Sequence, residues 1–544
     1  MPVMQLLLGA LLTMGITMLL IPLLERRALQ LGLLDRPGGR KQHAAPTPRV
    51  GGIAMAVAVL AALLLWRQTL TGLGAFLAAL PLLLAFGVLD DRRALAPQWK
   101  LGGQMLAALL VMHFGGISIA SVRHVGVWML PDWLSVPLTL GFIVGVTNAF
   151  NLADGLDGLA GGTALLCQAG LLLLALTCGN QQVAFLSVVT AGATLGFLRF
   201  NTYPARVFMG DAGSQVLGFS AAIFTLRLTQ DLEQPYSAAL PLLLLGVPVI
   251  DTLVVMTERV LEGKSPFVAD RLHLHHRLLT LGLGHGEAVM LIYVLQALLL
   301  ALAWQLRFSS DFLILGCFIG ITAATIALLR MARTRAWRLP RHGAPRHGPR
   351  IGNGLQRVLM EVGGACIAGY AAIVLWRLGA VGDDLRWLAG GCLLVLGTSL
   401  LLRRKAAEAG WFDRAALYVT VLITVAIGNT QALSTVTARA LDGIVFGLLG
   451  LAVAAALFRD SAARRGITPL DVLVLLVALA IPNLPGSLLA GQSAGWLVVR
   501  ALLLLYGVEC LLSAAAARWR VYDIAGIMFL SLFLLVPLWR GGLS

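Results

Sequence analysis

Four short polar stretches interrupt an otherwise apolar chain, and each carries groups suited to phosphate or a divalent cation. The richest runs Asn148-Ala-Phe-Asn151-Leu-Ala-Asp154-Gly155-Leu156-Asp157-Gly-Leu-Ala-Gly-Gly162. Its two Asp-Gly steps favour tight bends, so two carboxylates three residues apart can face one small volume. A bare carboxylate inside a bilayer costs several kcal/mol, which places this stretch at the water interface or in a wet cavity. The alternative is a polar turn between two membrane spans.

Asp90 and Asp91 are adjacent. Neighbouring like charges raise each other's proton affinity unless a cation is near. They read either as interfacial acids balanced by Arg92 and Arg93, or as a base and positioning group for an incoming nucleophile, with Lys100 supplying charge. Phe208-Met-Gly-Asp211-Ala-Gly-Ser214 opens an apolar run. Its glycines let backbone amides approach a phosphate, and a helix N-terminus favours anions. Asp211 suits a hard cation such as magnesium, and the Asn151 amide oxygen is a second candidate ligand.

Asp270-Arg271-Leu-His273-Leu-His275-His276-Arg277 packs three of the chain's nine histidines into four positions. Zinc and a plain solvated loop are the rival readings; against zinc, no suitable cysteine accompanies the cluster and the acids suit magnesium better. His and Arg together suit a pyrophosphate. Lys41 and Arg49 precede the second apolar run and read either as a topological anchor or as a lipid-phosphate contact.

The elements that must position these groups are membrane helices. Of 544 residues, 58% are hydrophobic and 12% are charged. Runs near 20 residues are long enough to cross a hydrocarbon core of about 30 Å. Hydropathy predicts an all-α, polytopic membrane protein with spans near 3–24, 50–67, 72–89, 101–119, 134–150, 159–178, 183–199, 213–230, 237–257, 288–306 and 311–330. The first is expected to be retained, since it is too long for a signal-peptide core. Residues 117–133 form a mixed, aromatic-containing stretch on the opposite face, suited to the membrane surface.

The net charge of +15 does not point to nucleic acid, because the basic residues gather in short loops. Arg26, Arg27, Arg36, Arg40, Lys41, Arg49, then Arg92, Arg93, Lys100, then Arg259, Lys264, Arg271, Arg277, and finally the arginines from Arg330 to Arg357 all follow odd-numbered spans. That side is cytoplasmic by the positive-inside rule, and all four acid-rich stretches lie on it. The six cysteines are scattered singly through apolar runs and suggest neither disulfides nor structural zinc.

Three divisions are expected: a membrane-embedded domain over 1–335, a basic Pro/Gly-rich linker over 336–356, and a second membrane domain of about seven spans over 357–544. The last carries no histidine, and its one adjacent acid pair is Asp383-Asp384.

The ordered set Asp90-Asp91, Asn151-Leu-Ala-Asp154-Gly-Leu-Asp157-Gly-Leu, Phe208-Met-Gly-Asp211-Ala-Gly-Ser and His273-Leu-His275-His276-Arg resembles the polyprenyl-phosphate N-acetylhexosamine-1-phosphate transferases, of glycosyltransferase family 4 type. The resemblance covers about residues 1–335, and the 264–276 loop looks most like the branch that uses UDP-N-acetylglucosamine. It implies transfer of a sugar 1-phosphate from a UDP-N-acetylhexosamine to undecaprenyl phosphate, releasing UMP, to initiate surface polysaccharide synthesis. It further implies magnesium, with manganese as a substitute, and an active site on the cytoplasmic face of a bacterial inner membrane. By the same analogy Asp211 and Asn151 would hold the metal, and Asp90 would act as base or orient the acceptor beside Asp91 and Lys100. Asp154 and Asp157 would hold the nucleotide-sugar. Gly155, Leu156 and Phe208 would lie near uracil, and His273, His275, His276 and Arg271 near phosphate or sugar.

Residues 357–544 exceed what the resemblance covers. A homodimer contact or a downstream glycosyltransferase are partners such an extension would serve. The rival readings are the phospho-MurNAc-pentapeptide transferase of peptidoglycan synthesis, whose histidine loop ends differently, and a membrane transporter. A transporter would place polar groups mid-helix in both halves; here they lie at span ends on one face.

Overall fold

A computed structural model describes residues 3–35, 46–69, 72–93, 95–123, 126–230, 236–265 and 273–335, with short helical pieces between 365 and 532. The expected linker, most of the spans expected after 357, and the site candidates Lys41 and Arg271 lie outside the described residues. The chain divides into two compact units, Met1–Arg341 with Thr468–Leu473, and His342–Ile467 with Val474–Ser544. The polar stretches all belong to the first.

Helices dominate that unit. They are α1 (Val3–Arg27), α2 (Gly51–Leu65), α3 (Gly74–Arg93), α4 (Pro97–Gly115), α5 (Asp132–Ala153), α6 (Leu159–Thr177), α7 (Gln181–Asn201) and α8 (Gly210–Thr229). Then follow α9 (Pro241–Leu244), α10 (Gly246–Leu261), α11 (Leu274–Thr280), α12 (His285–Leu306) and α13 (Asp311–Thr334). The strands are β1 (Leu34–Asp35) paired antiparallel with β2 (Thr47–Pro48), and β3 (Ser121–Arg123) paired antiparallel with β4 (Val127–Met129).

Among the described residues, α1, α3, α5, α6, α7, α12 and α13 are long and apolar enough to cross a membrane. The chain is therefore an all-α, multi-pass membrane protein. Every expected span up to residue 330 falls on a helix, with one correction: 237–257 is broken at Leu245 into α9 and α10. The α2 helix is only 15 residues long. The α4 and α8 helices dilute their apolar content with Lys100, Gln104, Asp211 and Gln215.

The α8 helix is the hub. It is buried almost throughout and packs on α2, α3, α5 and α6. Its N-terminal turn meets its neighbours backbone to backbone. A Cβ on Gly52 of α2 would lie 2.2 Å from the Gly213 nitrogen, and one on Gly87 of α3 would lie 2.4 Å from the Ala212 Cα. Both distances are far inside contact range, so only glycine allows three helix ends to converge here.

Local chemistry sets the boundaries. Pro97 starts α4 at a position where its missing N–H costs nothing, and Gly116 ends it in the left-handed region at φ 63°. The Asn180 side chain accepts the Val183 N–H at 3.0 Å and caps α7. The 117–133 stretch carries the β3–β4 hairpin, which leaves Val127, Trp128 and Met129 exposed. The Gln230 side-chain oxygen fixes its start by accepting the N–H groups of Ala120 and Ser121 at 3.0 and 3.2 Å.

Candidate active site

Three helix ends each deliver a pair of polar side chains. Lys100 and Gln104 are four residues apart on α4, as are Asp211 and Gln215 on α8, while Asn148 and Asn151 are three apart on α5. Those spacings place each pair on one helix face. Lower on the faces, a buried amide chain sets the register. Asn148 Nδ2 donates to Gln104 Oε1 at 2.6 Å, and Gln104 Nε2 donates to Gln215 Oε1 at 3.2 Å. Above it the charged ends meet.

Lys100 Nζ lies 3.1 Å from Asp90 Oδ2, 3.0 Å from Asp211 Oδ1 and 2.9 Å from Asn151 Oδ1. One ammonium thus collects oxygens from α3, α5 and α8. Asn151 Nδ2 donates to Asp211 Oδ1, and to Ser214 Oγ at 2.8 Å. The second Asp90 oxygen accepts the Leu95 N–H at 2.7 Å, which ties the α3–α4 turn to the same carboxylate.

Asp91 is used differently. Its Oδ1 accepts the Asp211 N–H at 2.9 Å and its Oδ2 the Ala212 N–H at 3.1 Å. It therefore caps α8 from another helix, placing negative charge at the positive end of the α8 dipole. Arg49 Nη1 lies 3.6 Å from the same carboxylate, and its Nη2 lies 2.9 Å from Asp35 Oδ1. Arg49 is held there by a backbone braid. Arg49 N–H donates to Leu33 O, Phe208 N–H to Pro48 O and Gly51 N–H to Phe208 O. Phe208 is thus fixed by its main chain, with its ring half-buried.

The 154–158 turn forms a second wall. Asp154 is half-buried. Desolvation pushes its carboxyl up to about 7, with Asp211, Asp91 and Asp157 adding repulsion and Arg49 opposing it. Asp157 Oδ2 accepts the Ala205 N–H at 2.9 Å, so that oxygen holds the 202–209 loop. Leu156 is buried. The turn is braced by Asn201, whose Oδ1 accepts the Gly158 N–H at 2.9 Å, and by Tyr293, whose OH donates to Gly158 O at 2.6 Å.

The histidine segment closes on that turn. A Cβ on Gly155 would lie 2.1 Å from His275 Nε2, so the ring sits flush on the glycine. His275 is buried, and its Nε2 has no hydrogen-bond partner among the described residues. Burial depresses its pKa to about 4, with His276 adding repulsion, so it is neutral at physiological pH. The His276 ring is tilted by 47° against it at 4.2 Å between ring centroids, and the His273 ring lies nearly parallel to it at 5.9 Å.

The structure thus brings together Asp90, Asp91, Lys100, Asn151, Asp211 and Arg49, and sets His275 against Gly155. Sequence reasoning passed over Asp251, Glu258, Gln104, Gln215, Asn201, Tyr293 and Asp35. Asp251 had a usable signal, as a lone carboxylate inside a predicted span. The aromatic and amide residues had none, since their roles depend on distant backbone.

Among the described residues no three His, Cys, Asp or Glu side chains gather around one point as a metal centre would need. The donor set fits a shared site instead. Asp90, Asp211 and Asn151 aim hard oxygens at one position, the one the ammonium holds. Magnesium takes one or two carboxylates and completes its shell with phosphate and water. The Asn151 oxygen here accepts from Lys100, which stands in the cation's place, and the amide nitrogen faces Asp211.

A model of glycosyl transferase family 4 matches residues 73–229, which span α3 to α8 and hold the ammonium-centred cluster and the 154–158 turn. The chain is 36% identical over 288 residues to the probable undecaprenyl-phosphate N-acetylglucosaminyl 1-phosphate transferase of Bacillus subtilis (strain 168), covering 52% of this chain and 79% of that protein. It is 35% identical over 298 residues to the decaprenyl-phosphate N-acetylglucosaminephosphotransferase of Mycolicibacterium smegmatis, covering 49% and 73%. It is 32% identical over 328 residues to the undecaprenyl-phosphate alpha-N-acetylglucosaminyl 1-phosphate transferase of Yersinia pestis, covering 58% and 87%.

Proposed function

The chain belongs to glycosyl transferase family 4, and from that premise we propose that it transfers N-acetylglucosamine 1-phosphate from UDP-N-acetylglucosamine to undecaprenyl phosphate. The relatives' names support the sugar and the polyprenyl acceptor. One observation within the chain carries the reading: Asp90, Lys100, Asn151 and Asp211 converge from four helices at the mouth of a membrane bundle. A reaction between a water-soluble diphosphate and a lipid phosphate needs charge of both signs at that boundary.

An oxygen of the lipid phosphate attacks the sugar-bearing β-phosphorus of the donor. The bond from that phosphorus to the bridging oxygen breaks, and UMP leaves with the oxygen. The product is the lipid diphosphate sugar. A phosphate monoester loses its second proton near pH 6, so the attacker is largely dianionic already and deprotonation is a minor demand. Asp90 then serves chiefly to hold Lys100, whose ammonium neutralises the approaching phosphates. Direct displacement is favoured over an aspartyl intermediate because Asp91 has both oxygens on backbone N–H groups and Asp90 has one on Leu95 and one on Lys100.

Magnesium, or manganese in its place, would be held by Asp211 and Asn151 with Asp90 in reach, and would supply positive charge to the diphosphate. Asp154, Gly155, Leu156, Asp157 and Phe208 line the donor side, with His273, His275 and His276 across from them. Arg49 faces the acceptor phosphate. The basic loops favour a bacterial plasma membrane with this site facing the cytosol. Purified protein should release UMP from UDP-N-acetylglucosamine only when undecaprenyl phosphate is present. Release without the lipid, or none with it, would refute the assignment.

A further inference from the structure

The histidine segment is held by a residue outside every motif. Asp251 lies on α10 and is 7% exposed. Both its oxygens are engaged by the start of α11. Its Oδ2 lies 3.0 Å from His273 Nδ1, and its Oδ1 accepts the Leu274 N–H at 2.7 Å. His273 is the N-cap residue of α11 but makes no side-chain cap bond of its own. The carboxylate supplies that cap from another helix and leaves Nδ1 the protonated nitrogen of the ring.

A second grip lies two turns along. Glu258, seven residues on and on the same face of α10, binds Arg277 of α11 through both carboxylate oxygens. Arg330 of α13 also approaches Glu258, at 4.0 Å. The α10 helix packs on α5, whose end carries Asn151. A continuous chain of contacts thus runs from Asp251 through His273 and the parallel His275 ring to the backbone of Gly155.

We propose that Asp251 is a positioning residue for the transfer: through the Leu274 cap and the His273 ring it sets His275 and His276 against the donor-binding turn. This inference rests on the proposed reaction for its kinetic readout. Two substitutions separate the two bonds. In Asp251→Asn the amide oxygen can still cap Leu274, but the amide nitrogen faces His273 and imposes the opposite tautomer. In Asp251→Leu both bonds are lost.

The test combines steady-state kinetics with amide hydrogen exchange of detergent-purified full chain. Asp251→Leu should raise the KM for UDP-N-acetylglucosamine about tenfold or more, leave the KM for undecaprenyl phosphate near the wild-type value, and speed exchange over 273–280. Asp251→Asn should keep slow exchange there while its kcat falls about tenfold. Wild-type donor KM and kcat in Asp251→Asn, with unchanged exchange in Asp251→Leu, would overturn the proposal. Equal loss of donor and lipid KM in either variant would also overturn it, since that marks a general packing defect. Should Asp251→Leu fail to fold, the kcat of Asp251→Asn decides alone. If wild-type protein gives no lipid-dependent UMP, the proposed reaction fails, while exchange over 273–280 still tests the clamp.

Discussion

Asp91 caps the first turn of α8, accepting the backbone N–H of Asp211 at 2.9 Å with one oxygen and that of Ala212 at 3.1 Å with the other. Two adjacent acids on α3 therefore do separate work, since Asp90 faces Lys100 instead. Replacing Asp91 by Ala should cost about 1–2 kcal/mol in stability. It should also lower turnover by about two orders of magnitude, because Asp211 moves with its helix end. Thermal melts and UMP release measured side by side would check both.

Lys100 holds the point where three oxygens meet. Lys100→Met should leave Asp90 and Asp211 mutually repelling and lower the melting temperature of metal-free protein. It should tighten manganese binding about tenfold, because the ammonium no longer competes, and it should abolish turnover. A manganese titration of substrate-free protein, followed by the resonance of the free ion, gives the comparison. Weaker binding than wild type would show that Lys100 assists the cation rather than standing in for it.

Gly155 touches His275 so closely that a methyl group has no room. Gly155→Ala should destabilise the protein by about 1–3 kcal/mol, the usual cost of overpacking. His275→Ala in the same chain should recover most of that loss. A double-mutant cycle on melting temperatures measures the coupling, and additive effects would place the ring elsewhere.

Asp154 gives a pH signature. Its folded carboxyl is raised to about 7, against an ordinary 3.8. The folded state thus binds this proton more tightly than the unfolded chain. The resulting stability is complete below about pH 4, falls as pH rises to 7, and is gone above it. Asp154→Asn lacks this loss. Its melting temperature, measured without metal, should match wild type at pH 4 and exceed it at pH 8 by an amount equivalent to about 1–2 kcal/mol.

Much of this was legible in the chain. Runs of apolar residues located the helices, because a bilayer leaves few alternatives. Asp90, Asp91, Asp211 and the histidines stood out because charge is rare in such a sequence. What was hidden depends on tertiary approach. Nothing local distinguishes Asp91 as a cap from Asp90 as a lysine partner. The break at Leu245 lies inside a hydropathy maximum, where an apolar average hides a discontinuity of the backbone. Tyr293 and Asn201 reach the Gly158 backbone from 135 and 43 residues away, and no spacing rule encodes those contacts.

The most direct test is the release of UMP from UDP-N-acetylglucosamine by purified wild-type and Asp211→Asn protein, each with and without undecaprenyl phosphate and magnesium. The proposed reaction requires release from wild type only when lipid and magnesium are both present, and none from Asp211→Asn. Wild-type release rates in Asp211→Asn, or UMP from wild type without the lipid, would contradict it.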